Sequence, residues 1–466
     1  MAMIGEHAVV LGGSVAGLLA ARVLSDSYRR VTVVDRDNLS DDVQPRKGVP
    51  QARHAHLLQA RGLQIIDELF PGVVDELAAG AAPIFDDGDL SRLNVSFGGH
   101  RLTRSATLAD PLAVKQCYPS RPFLECHLRR RLRQRVNVAI LDGHDITALT
   151  ATEQRDRVTG VRVTPSAGGA ESTLPADLVV DAAGRGSRTP TFLEALGYGR
   201  PAEDEVVIHL TYISQLLRIP ANMLPEQLVV VSPVPGRHTL MNLARYENGV
   251  SIFSVGGILG EEPPDTTAAM ATFIEDFAPA SAVAAVRAGE PVSDVARYRF
   301  PSNKWRRYDK MSRFPQGLLP LGDAIASFNP IYGQGMTVAA VDALALRDSL
   351  RRGKHDLSKR FLRTSAKAVD GAWQMAAGSD LAYPEVQGSR SIRMRLSNFY
   401  TDKVLSASET DPFVAERFIR VIGFVDPPTA LLQPTVVKRV WAANRRRAAN
   451  NSLTGTANPT GERSQH

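Results

Sequence analysis

Three small residues near the start of the chain are spaced as in sites that bind a pyrophosphate. Gly12, Ser14 and Gly17 form a glycine–x–small–x–x–glycine pattern directly after a short apolar run. The first glycine permits a tight turn, the small second residue lets the backbone approach a phosphate, and the last glycine lets a helix pack closely on a strand. The backbone N–H groups at the start of that helix, at Val15 and Ala16, would then face the phosphates.

An acidic residue at the end of the next β-branched run supports the same chemistry. Residues 31–34 are followed by Asp35 and Arg36. A carboxylate at this position accepts hydrogen bonds from a ribose. Asp35 therefore favours FAD or NAD over NADP, and we assign Arg36 to the same nucleotide site. Strand, turn, helix, strand and acid together predict a dinucleotide-binding βαβ unit, and the alternative is a glycine turn in an unrelated α/β fold.

A second glycine cluster lies far along the chain. Gly322 and Asp323 end a short apolar run, and the loop 329–336 then leads into a helical segment. These motifs resemble those of the FAD-dependent monooxygenases of the para-hydroxybenzoate hydroxylase type. The resemblance implies that Asp323 binds the ribityl chain of FAD. It also implies that the flavin ring is bracketed by loop residues, namely Pro330, Gly333, Gly335 and Met336.

Two further segments resemble the same family. Asp181 lies in a stretch similar to the family's middle motif, but Ala183 stands where aromatic hydroxylases carry Asp. We assign Asp181 to the cofactor site, and the departure leaves the choice between NADH and NADPH open. Arg121 resembles the arginine that starts a flavin-contacting helix, which implies pairing with phosphate or ribityl oxygens of FAD.

The loop from Arg46 to Leu57 resembles the corresponding loop of bacterial polyene epoxidases of polyether biosynthesis. On that basis Arg46 and Arg53 are assigned to the flavin site. His54 and His56 lie in the same loop, but no carboxylate or cysteine set lies near them to complete a metal site. A flavin-site loop and a surface pair of histidines both remain open, and no metal is expected.

The family resemblance implies an enzyme that binds FAD non-covalently, takes electrons from NAD(P)H and forms a flavin C4a-hydroperoxide with O₂. We expect epoxidation, or hydroxylation, of a lipophilic unsaturated natural-product intermediate. An epoxidation requires no side-chain base, and no catalytic residue is assigned. A reductase or dehydrogenase of a prenyl-type substrate and a non-catalytic FAD-binding sensor remain alternatives. A flavin halogenase is rejected because it would carry a Trp-x-Trp-x-Ile stretch and a catalytic lysine, whereas the tryptophans Trp305, Trp373 and Trp441 lie far apart.

The substrate pocket is sought among large apolar residues of the middle segment and the flavin loop. A set of methionine and aromatic residues is often part of a hydrophobic core, but any part that lines a cavity favours a large apolar ligand such as a polyketide or terpenoid. The candidates are Tyr212, Met241, Phe253, Phe328 and Tyr332.

The site residues must be positioned by strands and helices, and the pattern of apolar runs predicts where these lie. Continuous apolar runs before the glycine motifs are typical of buried parallel strands, β-rich stretches with turns follow from about residue 203, and residues 356–446 are mostly helical in character. The predicted fold class is α/β, with an FAD-binding Rossmann-like domain of the glutathione-reductase type, an antiparallel β-sheet substrate domain and a helical C-terminal part. The predicted FAD-binding domain is residues 1–75, 105–200 and 300–355, the substrate domain is 76–104 and 201–299, the helical part is 356–449, and the disordered tail is 450–466.

Composition narrows the class of protein. The formal net charge is +6 and apolar residues make up 44%, which fits a globular protein with a basic surface. The basic clusters lack the interleaved aromatics of a nucleic-acid groove. No segment reaches the roughly 18 apolar residues of a membrane span, and Cys117 and Cys126 are too few for a disulfide scaffold. We therefore expect a cytoplasmic monomer or dimer with a small-molecule partner, no nucleic-acid partner and no stable membrane insertion.

Overall fold

A computed structural model describes residues 3–454, with side chains described as far as residue 449. The strands in chain order are β1 Gly5–Leu11, β2 Tyr28–Val34, β3 Ile84–Phe85, β4 Leu93–Phe97, β5 His100–Arg101, β6 Gln116–Cys117, β7 Val138–Leu141, β8 His144–Ala151, β9 Val158–Pro165, β10 Ser172–Pro175, β11 Leu178–Asp181, β12 Glu203–Arg218, β13 Leu228–Val231, β14 Thr239–Arg245, β15 Ser251–Gly257, β16 Glu290–Pro291, β17 Ala296–Arg306, β18 Leu318–Pro320 and β19 Ala326–Ser327.

Twelve α-helices connect and cover these strands within the described residues. They are α1 Val15–Leu24, α2 Ala60–Leu69, α3 Val73–Ala79, α4 Arg121–Arg133, α5 Thr189–Ala195, α6 Thr267–Phe273, α7 Ala280–Ala288, α8 Gly335–Arg351, α9 Leu357–Asp380, α10 Ile392–Ser408, α11 Pro412–Ile422 and α12 Pro434–Thr454.

A five-stranded sheet carries the glycine motifs. Its order is β18-β11-β1-β2-β7, and every neighbouring pair is parallel. The apolar runs of β1, β2, β11 and β18 are buried, because helices pack on the sheet, whereas the edge strand β7 is only half-buried. Parallel strands end at the same edge of a sheet, so Gly12, Asp35, Asp181 and Asp323 gather at one edge. The predicted α/β fold with a Rossmann-like parallel sheet is confirmed.

The second large sheet is built mostly from the middle of the chain. It follows the order β19-β17-β12-β15-β14-β13-β4-β5, with β16 also paired to β12. Its pairs are antiparallel except for β13 and β4, which run parallel. The sheet predicted as antiparallel is therefore mixed, because β4 enters it from an earlier part of the chain rather than through a hairpin.

Two boundaries differ from the sequence-based prediction. The strand β17 crosses the predicted boundary between residues 299 and 300 and stays paired with β12 as far as Arg306. Residues 450–454, predicted to begin a disordered tail, are helical as the end of α12. The rest of that predicted tail, residues 455–466, lies outside the described residues.

Candidate functional site

A cavity of about 760 Å³ lies between the carboxyl edge of the parallel sheet and one face of the mixed sheet. All three sequence motifs border it: the glycine turn after β1, the turn after β11 and the loop before α8. The opposite wall comes from strands β12, β13, β14, β15 and β17. A ligand in this cavity would therefore touch both sheets.

The glycine turn brings the backbone unusually close to its neighbours. Gly12 has a φ of +102°, and a Cβ there would lie 2.7 Å from the carbonyl oxygen of Ala182. A Cβ on Gly17 would lie 1.8 Å from the carbonyl oxygen of Gly12. Gly17 does not border the cavity, so it serves the packing of α1 on the turn. Val15 and Ala16 do border it, and no side chain caps the first turn of α1, which leaves N–H donors for an anion.

Asp35 is held by the same turn. Its Oδ2 accepts a hydrogen bond from the Gly13 N–H at 2.6 Å, and its Oδ1 accepts one from the Asp37 N–H at 2.8 Å. Burial raises the pKa of Asp35, and the nearby Arg46 guanidinium opposes that rise. Asp35 and Arg36 both border the cavity, but the Arg36 side chain is 70% exposed. Of these two residues, Asp35 is thus the one held in a fixed position at the nucleotide end, and it is the acceptor there.

Glu125, which sequence reasoning missed, joins the two assigned arginines. Arg46 Nη2 donates to Glu125 Oε2 at 2.8 Å, and Arg121 Nε donates to Glu125 Oε1 at 2.9 Å. The Ser14 hydroxyl donates to the same carboxylate at 2.5 Å. Burial alone would raise the pKa of Glu125, but Arg121 and Arg46 hold it at about 2. The available signal was its position four residues after Arg121 on a helix.

Asp323 faces the cavity without a hydrogen-bond donor from the described residues. Burial raises the pKa of this carboxyl group, while Arg121, Arg185 and Arg306 pull it down. A desolvated carboxylate without a donor is costly unless a ligand supplies one. Gly322 does not border the cavity; its φ is +63° and a Cβ there would lie 3.1 Å from the Ala16 Cβ.

The loop before α8 closes this end of the cavity. Pro330, Gly333, Gly335 and Met336 all border it. Gly333 has a φ of +64°, and a Cβ on Gly335 would lie 3.7 Å from Asp323 Oδ1. No side chain caps α8, whose first residue is Gly335. A second free helix start therefore faces the cavity beside Asp323.

In the middle motif, around Asp181, the turn faces the cavity, while the Asp181 carboxylate, which was assigned to the cofactor site, is bonded within the turn. Asp181 borders the cavity, but its side chain accepts hydrogen bonds from the Ala183 N–H at 2.9 Å and from the hydroxyls of Ser187 and Thr189. These bonds fix the turn that carries Arg185. The Arg185 guanidinium donates to Ser302 and Ser327 and lies 4.8 Å from the centre of the Phe300 ring. Arg185, which was not assigned from the sequence, borders the cavity.

Three of the five predicted pocket residues border the cavity, namely Tyr212, Met241 and Phe328. Phe253 does not, because alternate residues of a strand face opposite sides, and its neighbour Ser254 takes the cavity side while Phe253 is buried in the core behind the sheet. Tyr332 also fails to border the cavity, since its hydroxyl donates to Asp380 at 2.6 Å.

Strand β17, which the sequence did not reveal, supplies two further aromatic side chains. Tyr298 and Phe300 lie two residues apart and border the cavity. Their strand also carries several arginines and Pro301, so its composition does not read as a buried strand. Leu210, Leu240 and Asn242 complete the apolar and polar lining of this end.

The loop after β2 reaches the cavity only in part. Arg46 and His56 border it, whereas Arg53 is exposed and does not. Arg53 ends the short 3₁₀ turn Pro50–Arg53 and points outward, while His54 points inward and contacts Ser214 Oγ at 2.8 Å through Nδ1. Burial, with the Arg121 charge nearby, lowers the pKa of His56 to about 3, so its ring is neutral at pH 7.

The described residues that border the cavity suit FAD. Two uncapped helix starts, the close-packed glycines and the donor-free carboxylate of Asp323 match the donors and acceptors of a flavin dinucleotide. No group of three or more His, Cys, Asp or Glu side chains within residues 3–454 could hold a metal ion. No helix in that part of the chain is long and apolar enough to cross a membrane.

Comparison with known proteins agrees with this geometry. The model of the FAD binding domain family matches residues 6–352. The protein Rv3254 of Mycobacterium tuberculosis is 38% identical over 450 residues, covering 95% of this chain and 94% of that protein. Kynurenine 3-monooxygenase of Salinispora arenicola is 28% identical over 373 residues, covering 74% and 72%. The chain therefore belongs to the FAD-binding family of flavin-dependent monooxygenases of the para-hydroxybenzoate hydroxylase type.

A solved structure shows how far the fold itself extends. The flavin-dependent brominase Bmp2 is 14% identical, covers 96% of this chain and 100% of that chain, and gives a TM-score of 0.64. At this identity the likeness concerns the fold alone. The resemblance of the loop 46–57 to polyene epoxidases has no support from these comparisons.

Proposed function

We propose that the protein is an FAD-dependent monooxygenase that inserts one oxygen atom into a lipophilic, unsaturated small molecule. The observation that carries the proposal is the single cavity in which the flavin motifs meet the aromatic face of the mixed sheet. A cofactor-only site would not require that wall. An FAD-binding sensor would have no use for a second, apolar half of the cavity.

The residues around the glycine turn and α4 would hold the cofactor. The first turn of α1 would face the pyrophosphate, Asp35 would accept a hydrogen bond from the ribose, and Asp323 would accept one from the ribityl chain. Arg121 and Arg46, held by Glu125, would place positive charge beside the phosphates. Bound FAD would take electrons from NAD(P)H and activate O₂ for oxygen transfer. The protein contributes position, dipoles and the exclusion of water.

The aromatic half of the cavity would hold the substrate. Tyr212, Tyr298 and Phe300 offer aromatic surface to the cavity, and Phe328, which precedes the loop 329–336, borders the same cavity. Asn242 borders the same space, and its Oδ1 is buried without a hydrogen-bond partner in the described residues. A substrate that combines an unsaturated apolar body with one hydrogen-bond donor would satisfy both features.

Epoxidation of an alkene and hydroxylation of an aromatic ring both fit this cavity. Each adds an electrophilic oxygen to a π-system, and neither needs a side-chain base to form the first bond. The relative named kynurenine 3-monooxygenase supports oxygen insertion without choosing between the two reactions, while the loop 46–57 favours epoxidation by resemblance alone. A flavin halogenase would carry a catalytic lysine, and no lysine is found among the described residues that border the cavity. We therefore do not propose halogenation, although the brominase has a similar fold.

The experiment is to measure oxygen consumption by the FAD-loaded enzyme with NADPH or NADH, with and without alkene-bearing and phenolic compounds. A monooxygenase consumes O₂ and reduced nucleotide faster when a substrate is present. The matched variants are Tyr298→Ala and Phe300→Ala, which should lower that stimulation without lowering FAD content. Nucleotide oxidation that reduces an added compound without O₂ would replace the proposal with a prenyl-type reductase.

A further inference from the structure

A buried carboxylate outside the motif-bearing region is tied to the flavin-facing loop. Asp380 is the last residue of α9, 28 residues beyond the end of the family match at 352, and its side chain is 1% exposed. It accepts hydrogen bonds from Asn303 Nδ2 at 2.5 Å, from Asn329 Nδ2 at 3.0 Å and from the Tyr332 hydroxyl at 2.6 Å. Two of these three donors belong to the segment 329–336 that carries the flavin-facing residues.

The network fixes the backbone where the loop begins. The N–H of Asn329 donates to Asn303 Oδ1 at 2.6 Å, and Asn329 Oδ1 accepts from the Ile331 N–H at 3.2 Å. Asn303 belongs to β17, so the loop is bonded to the mixed sheet on one side and to α9 on the other. Pro330, which borders the cavity, lies between the bonded residues Asn329 and Tyr332, and Gly333, which also borders it, follows Tyr332 directly.

The three side chains bonded to Asp380 all donate to it, and no lysine, arginine or histidine of the described residues pairs with it. A buried carboxylate without an ionic partner is costly, and packing of α9 alone would be served as well by an apolar residue. The carboxylate of Asp380 offsets this cost by accepting hydrogen bonds from three donors, Asn303, Asn329 and Tyr332, at one point. That point is the base of the flavin-facing loop.

We propose that Asp380 is a positioning residue whose ionised carboxylate holds the flavin-facing loop in the shape that receives FAD. The proposal rests on FAD binding at the cavity, as the proposed function does, but it does not depend on the reaction catalysed. A neutral side chain at this position keeps one acceptor oxygen but turns an N–H or O–H toward the amide donors of Asn303 and Asn329. The loop then loses part of its anchoring, and FAD is bound less tightly.

The direction of the pH effect follows from the same bonds. Burial raises the pKa of Asp380 to about 6, and the hydrogen bonds from Tyr332, Asn303 and Asn329 oppose that rise. Proton uptake below pH 6 therefore favours the released loop, and FAD affinity should fall as pH falls. The titratable groups that face Asp380 are Tyr332 from the loop and Tyr383 beyond α9, and Tyr383 in turn faces Arg237 and Glu385.

The free energy of unfolding should depend on pH in the opposite direction to the FAD affinity. This difference distinguishes a positioning role of Asp380 from a purely stabilising one. A carboxyl group whose pKa is raised in the folded protein makes unfolding easier as pH rises from its ordinary range through 6. Asp380→Asn removes a buried charge, so its free energy of unfolding should not fall in step with its FAD affinity. A residue with only a structural role would change both together.

Asp342 is the second buried carboxyl group near the flavin motifs. It accepts from the Gly322 N–H at 3.1 Å and from the Ser365 hydroxyl at 2.7 Å, and burial raises its pKa to about 6. It does not touch the loop 329–336. Asp342→Asn is therefore the control. It shows whether Asp380 or Asp342 causes the fall in FAD affinity at low pH, here called the acid limb.

The test titrates FAD into the full-length apoprotein and follows flavin fluorescence from pH 5 to 8. We expect Asp380→Asn to bind FAD about tenfold to hundredfold less tightly at pH 7.5. Its FAD affinity should also fall less steeply toward low pH than that of the wild type, because only the cavity carboxyl groups Asp323 and Asp35 still take up protons, whereas Asp342→Asn keeps the wild-type steepness. Tyr332→Phe, which removes one donor and keeps the charge, should show a smaller loss with the acid limb intact.

Several results would overturn the proposal. Wild-type affinity and an unchanged acid limb in Asp380→Asn would do so, and so would an acid limb that becomes less steep only in Asp342→Asn. If Asp380→Asn does not fold, an unaltered FAD affinity in both Tyr332→Phe and Asn303→Ala would count against it. Failure of the wild type to bind FAD would instead reject the proposed function.

Discussion

Close packing at the nucleotide end of the cavity makes Gly17 the residue least open to substitution. A Cβ at this position would lie 1.8 Å from a backbone oxygen of the turn, and backbone cannot move aside as a side chain can. We expect Gly17→Ala to abolish FAD retention and to lower the melting temperature. The control is Gly371→Ala in α9, where a Cβ meets nothing within 4 Å; equal melting temperatures and FAD content in both variants would contradict the assignment.

Asp323 and Arg121 give a second prediction at the residue scale. Each would supply a charge-assisted hydrogen bond to the cofactor, worth about 1.5–3 kcal/mol. Asp323→Ala and Arg121→Ala should each weaken FAD binding about tenfold to hundredfold, as measured by fluorescence titration. Arg130→Ala, on the same helix but bonded to the Asp41 carbonyl, is the control. Full FAD affinity in both test variants would show that these positions were carried over wrongly from the family.

Residue-level signals in the sequence identified part of the site. Glycine spacing and the acids that end apolar runs are local patterns, and the structure brings Gly12, Asp35 and Asp323 to one cavity. Arg53 is exposed and lies outside this cavity, because a loop sequence does not reveal which of two neighbours turns inward. Asp380 could not have been found, since its partners Tyr332 and Asn303 lie 48 and 77 residues away along the chain.

At the scale of elements, Glu125 ties α4 to α1 and to the loop after β2. Its removal would leave Arg46 and Arg121 as buried guanidinium groups that have lost a shared partner. We expect Glu125→Gln to lower the free energy of unfolding by about 3 kcal/mol, measured by urea denaturation. Glu76→Gln, which breaks the more exposed contact with Arg131 on the same helix, should cost less than about 1 kcal/mol. A larger effect for Glu76→Gln would contradict this account.

Glu125 should also change how the free energy of unfolding depends on pH at acidic pH. The folded state holds the pKa of Glu125 at about 2, below its ordinary value. Its contribution is therefore present above the ordinary carboxyl range and is lost as pH falls toward 2. The difference in stability between wild type and Glu125→Gln should shrink as pH is lowered from 5 to 2. A difference that stays constant over this range would mean that the charge does not matter.

Strands could be predicted from the sequence where they are short runs of apolar residues, and strands of mixed composition could not. The strands β1, β2 and β11 are buried on both faces and read directly as apolar runs. Strand β17 alternates aromatic and charged residues, because one face borders the cavity and the other does not. The parallel pairing of β4 with β13 joins segments more than 100 residues apart, and no local pattern encodes such a contact.

At the scale of the whole molecule, the last helix predicts where the chain can be shortened. Val436, Val440 and Ala443 of α12 are buried in the cluster that also contains residues of α10 and α11. Truncation after Thr454 keeps all of these contacts, so melting temperature and flavin content should not change. Truncation after Gln433 removes the helix and should lower the melting temperature. A loss of flavin on removing residues 455–466 would contradict this division.

The central claim concerns the cavity that the two large sheets share. Incubating the FAD-loaded enzyme with NAD(P)H, a compound that stimulates oxygen consumption and ¹⁸O₂, followed by mass spectrometry of the product, tests it most directly. The account predicts a product that carries one labelled oxygen atom, with the other in water. A product formed without label, with no O₂ consumed, would contradict monooxygenation and leave the reductase in its place.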